Sequence, residues 1–435
     1  MNTRNIKLLV SKFSMILSFL LLSLNSSSAQ TQITISGAQR GYPIGIPEMC
    51  DGGSASDEVS LLPKTITKDL DLSGFFNIVD PASFVESPRK CNAPDGIQYS
   101  DWSVIGVDYV VKGKITNNGS SVIADFYLID VAQKKPILGK RYEISSDQVK
   151  RVAHRFANEI IGLLTGERGV FGSKLLYVSK VGRYKEIFIS ELDGADVKQL
   201  TRDKGLAMSP AFSPNGKNVV FTSYKTRRPE LYILDSNGGS ARQITSREGL
   251  EIGAKFTNQG LMTSAEVRNS SQIVLMSMKG EVLKQVTDSG SINISPSLSP
   301  DGSQVAFCSN RGGNPQIYIA PTSGGEAKRV SFSSSNYCTS PSWSPKGDKI
   351  AFVCRDAGFH IYVSSPTGER PIQLTFSGSN EDPSWSPDGR YLLYSSTAGR
   401  GGRSIMIASV QTGVTKQLTV SSSEDSQPSW GPPID

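Results

Sequence analysis

A three-residue element recurs six times at a nearly constant interval in the second half of the chain. Each copy consists of a polar residue, an aliphatic residue and a Thr or Ser, and the aliphatic residues are Leu200, Ile244, Val286, Val330, Leu374 and Leu418. Successive copies are 44, 42, 44, 44 and 44 residues apart. A period of about 40 to 50 residues indicates a repeat architecture, in which each copy occupies an equivalent place.

A turn-forming element accompanies the triplets and is clearest at residues 382–389, Asp-Pro-Ser-Trp-Ser-Pro-Asp-Gly. Related copies occupy residues 209–216, 295–302 and 340–347, and a degenerate copy occupies residues 253–260. Because Pro presets one turn position and Gly supplies a positive φ, Ser-Pro-Asp-Gly predicts a tight reversal between two strands. Each unit then contains four short strands, which is typical of a β-propeller blade.

The order of strands predicts how the propeller closes. Within the repeat region, only three strand-like runs precede the triplet at Leu200, whereas residues 426–430 copy the start of a blade. We therefore expect six blades, the first completed by the C-terminal strand, which removes free sheet edges. A β-sandwich is the alternative, but it gives no reason for six copies in one register. The large apolar residues at one register are expected to pack between blades: Phe212, Phe256, Leu298, Trp343, Trp385 and Trp430.

Residues 30–166 lack the repeat and mix helical and strand patterns. The predicted elements are helices from Ser145 or Ser146 to Thr165 and between Leu61 and Leu72, and strands at 108–116, 122–131 and 138–144. The fold class is therefore α+β with two domains: a small N-terminal α/β sandwich domain, residues 30–166, followed by the propeller, residues 167–435. His154 is expected to pack in the core rather than to bind a ligand, since no other His or Cys is near it in sequence.

Residues 1–29 have the pattern of a secretory signal peptide: a basic start, an apolar run from Phe13 to Leu24 and a small-residue exit ending at Ala29. The apolar run is shorter than the roughly 20 residues that cross a bilayer. We expect export of the chain, with cleavage after Ala29. The chain has 46 basic and 40 acidic residues, and three of the basic residues lie in this segment. The positive and negative charges of the rest of the chain are therefore nearly equal in number. That balance argues against nucleic-acid binding.

Export permits disulfides, and the chain has five cysteines: Cys50, Cys91, Cys308, Cys338 and Cys354. Cys50 and Cys91 lie in the first domain and form one candidate pair. Cys338 and Cys354 flank a predicted turn and would face each other on adjacent strands, although cross-strand geometry is often unsuitable for a disulfide. The odd total leaves at least one thiol free or paired with another chain, and the pairing stays open.

The chain lacks the common catalytic motifs, namely Gly-x-Ser-x-Gly, Gly-x-Gly-x-x-Gly, a phosphate loop and His-Glu-x-x-His. Two His residues are too few for most zinc and His-based sites. Asn215, Asp301 and Asp388 lack the alternating oxygen ligands of a calcium loop and are expected to form turns. A propeller that gates a peptidase would require a hydrolase domain, whereas the sequence ends five residues after Trp430. We expect neither an enzyme nor a bound cofactor or metal.

The combination of signal peptide, small α/β domain and Ser-Pro-Asp-Gly blades closely resembles the TolB family, periplasmic propeller proteins of the Tol-Pal cell-envelope system. Besides the blades, the resemblance rests on residues 42–47, 69–76, 153–157 and 164–169, and the Leu-Thr-Gly-Glu junction is its most specific part. It implies a non-enzymatic protein whose propeller binds the peptidoglycan-associated lipoprotein of the outer membrane. It also implies that the mature N-terminal segment binds TolA, which is anchored in the inner membrane, and that this supports outer-membrane integrity and constriction during division.

Loops that lead into the innermost strands converge at one mouth of the ring, a concave surface that suits a protein partner. The expected mouth residues are Glu251, Gly253, Ala254, Ile294, Ser295, Ser340, Glu381, Asp382, Ser426 and Gln427. The expected TolA-binding residues lie in a Gly/Pro-rich segment that is either weakly structured or an edge strand through Ile33 and Ile35: Gln30, Ile33, Ile35, Gly37, Tyr42 and Pro43. One blade departs from the pattern, with Lys255 in place of the usual Pro. An exported propeller that binds a small ligand or carbohydrate is the alternative function.

Overall fold

A computed structural model of the protein describes residues 41–51, 57–85, 94–117, 121–145, 148–420 and 424–433. The predicted signal peptide and its cleavage site, together with Cys91 and Ser146, lie outside these residues. The described residues form a mixed sheet with helices, followed by six antiparallel four-stranded sheets. The α+β fold class with a six-bladed propeller is therefore confirmed, while the boundary at residue 166 stays a prediction.

The N-terminal domain consists of one sheet and the helices that cover it. The strands are β1 (Tyr42–Gly45), β2 (Cys50–Asp51), β3 (Phe76–Ile78), β4 (Tyr109–Asn117), β5 (Val122–Asp130) and β6 (Lys135–Ile144). Their order is β3-β1-β4-β5-β6, and β2 also pairs with β4. The helices are α1 (Asp57–Ser73), α2 (Tyr99–Val104) and α3 (Val149–Thr165). The predicted elements are present, although α3 begins after Gln148 rather than at a Ser cap and ends, as predicted, at Gly166, which has a φ of 81°.

Helices α1 and α3 pack together over one core. Phe156 of α3 stacks on Phe126 of the sheet with ring centroids 5.0 Å apart. His154 is buried as predicted, but it also makes an ion pair, because its Nδ1 lies 2.6 Å from Oδ2 of Asp69 in α1. The sequence analysis missed this partner, since 85 residues separate the two groups. The buried pair joins the two helices.

The segment from Tyr42 to Pro47 corrects the expectation of a weakly structured stretch. Strand β1 lies between β3 and β4 and pairs in parallel with both. Ile44 is fully buried, and the neighbouring Gly45 faces Trp102, whose ring would lie 2.6 Å from an added Cβ. The Gly/Pro-rich composition misled the prediction because Gly45 is needed here for close packing rather than for flexibility.

Each propeller blade is one four-stranded antiparallel sheet, and we number the blades in chain order. Blade 1 contains β7 (Lys174–Val181), β8 (Tyr184–Glu191), β9 (Lys198–Gln199) and β30 (Asp425–Trp430). Blade 2 contains β10 (Ala207–Phe212), β11 (Asn218–Ser223), β12 (Glu230–Asp235) and β13 (Arg242–Gln243). Blade 3 contains β14 (Glu251–Thr257), β15 (Gly260–Val267), β16 (Ser270–Met276) and β17 (Val282–Gln285).

The remaining three blades repeat this arrangement. Blade 4 contains β18 (Asn293–Leu298), β19 (Gln304–Ser309), β20 (Gln316–Pro321) and β21 (Lys328–Arg329). Blade 5 contains β22 (Cys338–Trp343), β23 (Ile350–Arg355), β24 (Phe359–Ser364) and β25 (Ile372–Gln373). Blade 6 contains β26 (Asn380–Trp385), β27 (Tyr391–Ser396), β28 (Ser404–Ser409) and β29 (Thr415–Gln417). The predicted closure is confirmed, because β30 pairs with β7 and places Trp430 opposite Leu175.

The recurring triplet has the same structural role in every blade. Its Thr or Ser hydroxyl accepts a 2.9 Å hydrogen bond from a backbone N–H of the third strand, as Thr375 does from Ile361. Its Gln side chain, or Arg in blade 4, donates to the carbonyl of that same Thr or Ser. The aliphatic residue between them is at most 8% exposed. The triplet therefore attaches the short outer strand to its blade.

The Ser-Pro-Asp-Gly element forms the predicted turn between the first two strands of a blade. In blade 6 the Ser386 hydroxyl donates to Asp388 and accepts from the backbone N–H of Tyr391. Asp301 occupies the same place in blade 4, where hydrogen bonds from Ser299 and Ser303 lower its pKa to about 2. The acidic residues are therefore turn formers, as predicted.

The aromatic register packs between blades, as predicted. Trp343 of blade 5 packs with Ala306 and Ile317 of blade 4, and Trp385 of blade 6 packs with Ala351 and Val363 of blade 5. Trp343, Trp385 and Trp430 are each 7% exposed. These side chains are core residues, so they fix the angle between neighbouring blades.

The strand register corrects the assignment of Lys255. A β-bulge in β14 lies between Ile252 and Lys255, matching the bulge between Ile294 and Ser297 in β18. Ala254 therefore stands where the other blades have Pro, and Lys255 stands where they have Ser or Ala. The predicted copy at residues 253–260 has the correct register, but its Pro position was assigned to Lys255 instead of Ala254.

Of the two candidate disulfides, the pair in blade 5 is present. Cys338 and Cys354 face each other in the β22–β23 register, with Cα atoms 4.1 Å apart. Cys308 of blade 4 is a free, buried thiol next to the disulfide, and burial raises its pKa to about 12. The pairing of Cys50 with Cys91 is not tested, because Cys91 lies outside the described residues.

We predict that Thr375→Val destabilises the propeller by about 1–3 kcal/mol, because it leaves the buried N–H of Ile361 without an acceptor. Thr375→Ser is the matched control, since it keeps the hydroxyl and Ser331 occupies this position in blade 4. Urea unfolding followed by Trp fluorescence measures both variants. If Thr375→Ser destabilised the propeller as much as Thr375→Val, Thr375 would contribute to stability through packing rather than through this hydrogen bond.

We predict that replacing both Cys338 and Cys354 with Ser lowers the free energy of unfolding of the propeller by about 3 kcal/mol, as expected for a closed loop of this length. Denaturant titration with and without dithiothreitol measures the loss. The variant should be insensitive to reductant, whereas the control Cys308→Ala should keep the sensitivity of the unmodified chain. A double variant as stable as the oxidised protein would contradict the prediction.

Candidate functional site: the channel and mouth of the propeller

The first strands of the blades, β10, β14, β18, β22, β26 and β30, surround a central channel. Each strand carries a β-bulge, and the residue at the bulge has a positive φ of 51–68°: Ser209, Gly253, Ser295, Ser340, Asp382 and Gln427. Such a conformation costs about 1–3 kcal/mol for a residue other than Gly, so its surroundings must hold it in place.

Hydrogen bonds between neighbouring blades hold this ring of residues. The N–H of Gln427 donates to Oδ2 of Asp382 over 3.3 Å, and the Gln427 side chain accepts from the N–H of Ser209 over 2.8 Å. The N–H of Gly253 donates to Thr222, and that of Ser295 donates to Ser264, in each case in the preceding blade. The bulges therefore form a rigid rim rather than independent loops.

The structure brings half of the predicted mouth residues together. Gly253, Ser295, Ser340, Asp382 and Gln427 line the channel, each from a different blade. Glu381 and Ser426 precede two of them and are half-buried. Ala254 and Ile294 instead pack in the cores between blades, because side chains alternate across a strand.

Glu251 lies at the same end of the ring but is buried. Its carboxylate is 3% exposed and lies 4.0 Å from the Arg247 guanidinium. Its Oε2 has no hydrogen-bond partner among the described residues. Burial raises the pKa of Glu251, against the hydrogen bond from Thr245 and the charge of Arg247.

An acidic pair marks the rim at blade 6. Glu381 makes a 3.3 Å ion pair with Arg403, which also donates to Ser395. The adjacent Asp382 faces the channel, where burial and the charge of Glu381 raise its pKa. A charged group of a partner that reached this rim would meet negative charge held in a fixed position.

The structure adds a channel residue that the sequence analysis did not assign to the site. Lys255 lines the channel from blade 3, three blades away from Asp382 in the ring. Water reaches its side chain, but protein surrounds it, and this enclosure lowers the pKa of the ammonium group while Asp382 acts in the opposite direction. Ser209 was also missed, and its register with Ser295 and Ser340 was the signal that could have found it.

The mouth opens on the face away from the N-terminal domain. That domain and the connector after α3 contact the turns at the other ends of the strands: Asp71 of the domain pairs with Lys416, and in the connector Glu167 pairs with Lys346 and the carbonyl of Arg168 accepts from Arg390. Because Arg390 follows the end of β26 whereas Asp382 lies near its start, the rim and the domain interface are on opposite faces.

The predicted TolA-binding residues are divided by the described range. Gln30, Ile33, Ile35 and Gly37 lie outside it. Tyr42 and Pro43 belong to β1, where the Tyr42 ring packs edge-on against Tyr109, with centroids 5.9 Å apart. These two residues are therefore part of the sheet.

Neither a metal-binding cluster nor a membrane-spanning helix occurs among the described residues. No group of three or more His, Cys, Asp or Glu side chains among them is arranged to hold a metal ion. None of the helices described has the length and apolar character that crossing a bilayer requires.

Two protein-family models match the chain. The TolB beta propeller domain matches residues 161–434, and the TolB amino-terminal domain matches residues 31–137. The propeller model alone spans more than half of the chain.

Individual relatives agree with the family models. A TolB homolog of Chlorobium luteolum is 32% identical over 281 residues, which is 64% of this chain and 64% of the relative. The Tol-Pal system protein TolB of Bordetella pertussis is 28% identical over 420 residues, covering 95% of this chain and 93% of the relative. The crystal structure of TolB from Acinetobacter baumannii superposes with a TM-score of 0.80 at 26% identity, over 91% of this chain and 98% of that one.

Proposed function

The chain belongs to the TolB family of Tol-Pal system proteins, and on that premise we propose that it is a non-enzymatic periplasmic scaffold. In this proposal the propeller mouth binds the peptidoglycan-associated lipoprotein, and the mature N-terminal segment binds TolA. The protein associates with the envelope only through these partners. It thereby supports outer-membrane integrity and constriction during cell division.

The observation that carries the proposal is the rigid, charged rim on the face that the N-terminal domain leaves uncovered. Hydrogen bonds between blades fix Asp382, Gln427 and Ser209, so these residues lose little conformational entropy when a partner binds. Glu381 and Lys255 contribute opposite charges to the rim and the channel wall, which favours a partner with complementary charges.

The size of the channel argues against the alternative of a small-ligand or carbohydrate site. Its cavity is about 140 Å³, whereas sites that enclose drug-sized ligands are usually about 300–1,000 Å³. A protein loop that covers the rim needs no deep cavity. The disulfide of blade 5 supports a periplasmic location, since such bonds persist in oxidising compartments.

We predict that Glu381→Lys combined with Asp382→Asn weakens binding of the soluble domain of the lipoprotein at least tenfold. The double variant removes the acidic pair from the rim, and Asn tolerates the positive φ at position 382. Calorimetric titration of the mature chain measures the affinity.

The matched control is Glu326→Lys with Glu281→Gln, which makes the same change in charge at exposed turns on the opposite face. It should leave the affinity unchanged. An acidic-pair variant that binds as tightly as the unmodified chain would refute the placement of the site at this rim.

We predict that deleting residues 30–40 abolishes binding of the periplasmic part of TolA and leaves lipoprotein binding within twofold. The deletion stops short of β1, because Tyr42 and Pro43 are needed in the sheet. A second variant, in which Gly and Ser replace residues 30–40 without changing the length, shows whether TolA recognises the sequence of this segment or only requires its length. Unaltered TolA binding by both chains would remove the proposed role of this segment.

A further inference from the structure

A second pocket lies on the face opposite the mouth, between helix α3, the connector that follows it and blade 1. Its volume is about 280 Å³. Basic and polar groups line much of it: Lys150, Arg151, His154, Arg155, Asn158 and Arg168, with Phe171, Gly172, Glu191 and Asp196. The proposed partner sites do not involve this pocket.

His154 supplies the pocket with a hydrogen-bond donor. The residue is 6% exposed, its Nδ1 is bonded to Asp69, and its Nε2 has no partner among the described residues. Burial lowers the pKa of His154, but the hydrogen bond and charge of Asp69, helped by Asp193 and opposed by Lys150, raise it above its ordinary value. In the protonated ring both nitrogens are donors, so Nε2–H requires an acceptor.

The charges around the pocket leave two guanidinium groups without a counterion. Lys150 pairs with Asp193 and Asp196, and Arg155 pairs with Glu159. The pocket carboxylate of Glu191 is already bonded to Lys174. Within the described ranges, Arg151 and Arg168 make no ion pair.

The walls of the pocket are held in place without a ligand. The Asn158 side chain donates to the carbonyl of Phe171 and accepts from its N–H, which clamps the connector against α3. Gly172 has a φ of 90° and approaches so closely that an added Cβ would lie 3.0 Å from Cβ of His154. The His154 donor and the backbone of the connector are therefore preorganised.

We propose that this pocket binds a small oxyanion, a phosphate or carboxylate group, which accepts a hydrogen bond from Nε2 of His154 and is neutralised by Arg151 and Arg168. Charge-assisted hydrogen bonds from Arg and His⁺ to such groups are stronger than neutral ones. The site is independent of the proposed partner binding, so either can fail without the other.

The experiment uses the mature chain labelled with ¹⁵N-histidine. The chain has two His residues, and His360→Gln leaves the ring signals of His154 alone. Gln272 and Gln316 occupy the equivalent positions in two other blades, so this change fits the fold. Sodium phosphate and sodium succinate are titrated separately at constant ionic strength, with sodium chloride as the reference salt, while the His154 Nε2 resonance is recorded.

We expect a saturable shift of the Nε2 resonance with phosphate, succinate or both, and the more effective salt identifies the source of the oxyanion. Arg151→Gln with Arg168→Gln should weaken binding at least tenfold. The control Arg242→Gln with Arg400→Gln removes the same charge from exposed positions elsewhere and should not weaken it. A shift no larger than with chloride, or equal affinity in the two double variants, would overturn the proposal.

Discussion

The pairing of β30 with β7 is the contact on which the rest of the structure depends. It joins the last described strand to the first blade, so the propeller has no free edge at the seam. The closing strand also supplies Gln427, which links Asp382 of blade 6 to Ser209 of blade 2 across blade 1. An open ring would lose both the seam and the continuity of the rim.

The same strand ties the N-terminal domain to the ring. Its last residue, Trp430, donates through Nε1 to Ser173 in the connector, and its backbone N–H donates to Ser384 of blade 6. The connector in turn is held to α3 by Asn158. One short strand thus has a channel-lining residue near its start and a residue that contacts the connector at its end. This arrangement gives a physical route between the two faces, although coupling of binding events would require two states of this element.

Repetition decided how much could be predicted from the sequence. The triplets and the Ser-Pro-Asp-Gly turns work through contacts within one blade, and six copies made their register visible. Apart from Ser209, which was missed although it obeys the repeat, the prediction failed where a feature occurs once. Lys255 was displaced by one position, the Asp69 partner of His154 lies 85 residues away, and the place of β1 inside the sheet depends on two strands distant in sequence. Unique long-range contacts leave no periodic trace, so the candidate site was predicted only at the positions that obey the repeat.

The departure at Lys255 shows what a repeat position contributes and what is lost when it changes. At this position Ser297 accepts a hydrogen bond from the N–H of Trp343, and Ser384 accepts one from Trp430, so the small hydroxyl connects neighbouring inner strands. A Lys side chain cannot accept such a bond. Blade 3 therefore gives up this connection to blade 4 and places a cation in the channel, within electrostatic range of Asp382. The substitution therefore exchanges a stabilising hydrogen bond between blades for a positive charge in the channel, as expected if the proposed partner site uses that charge.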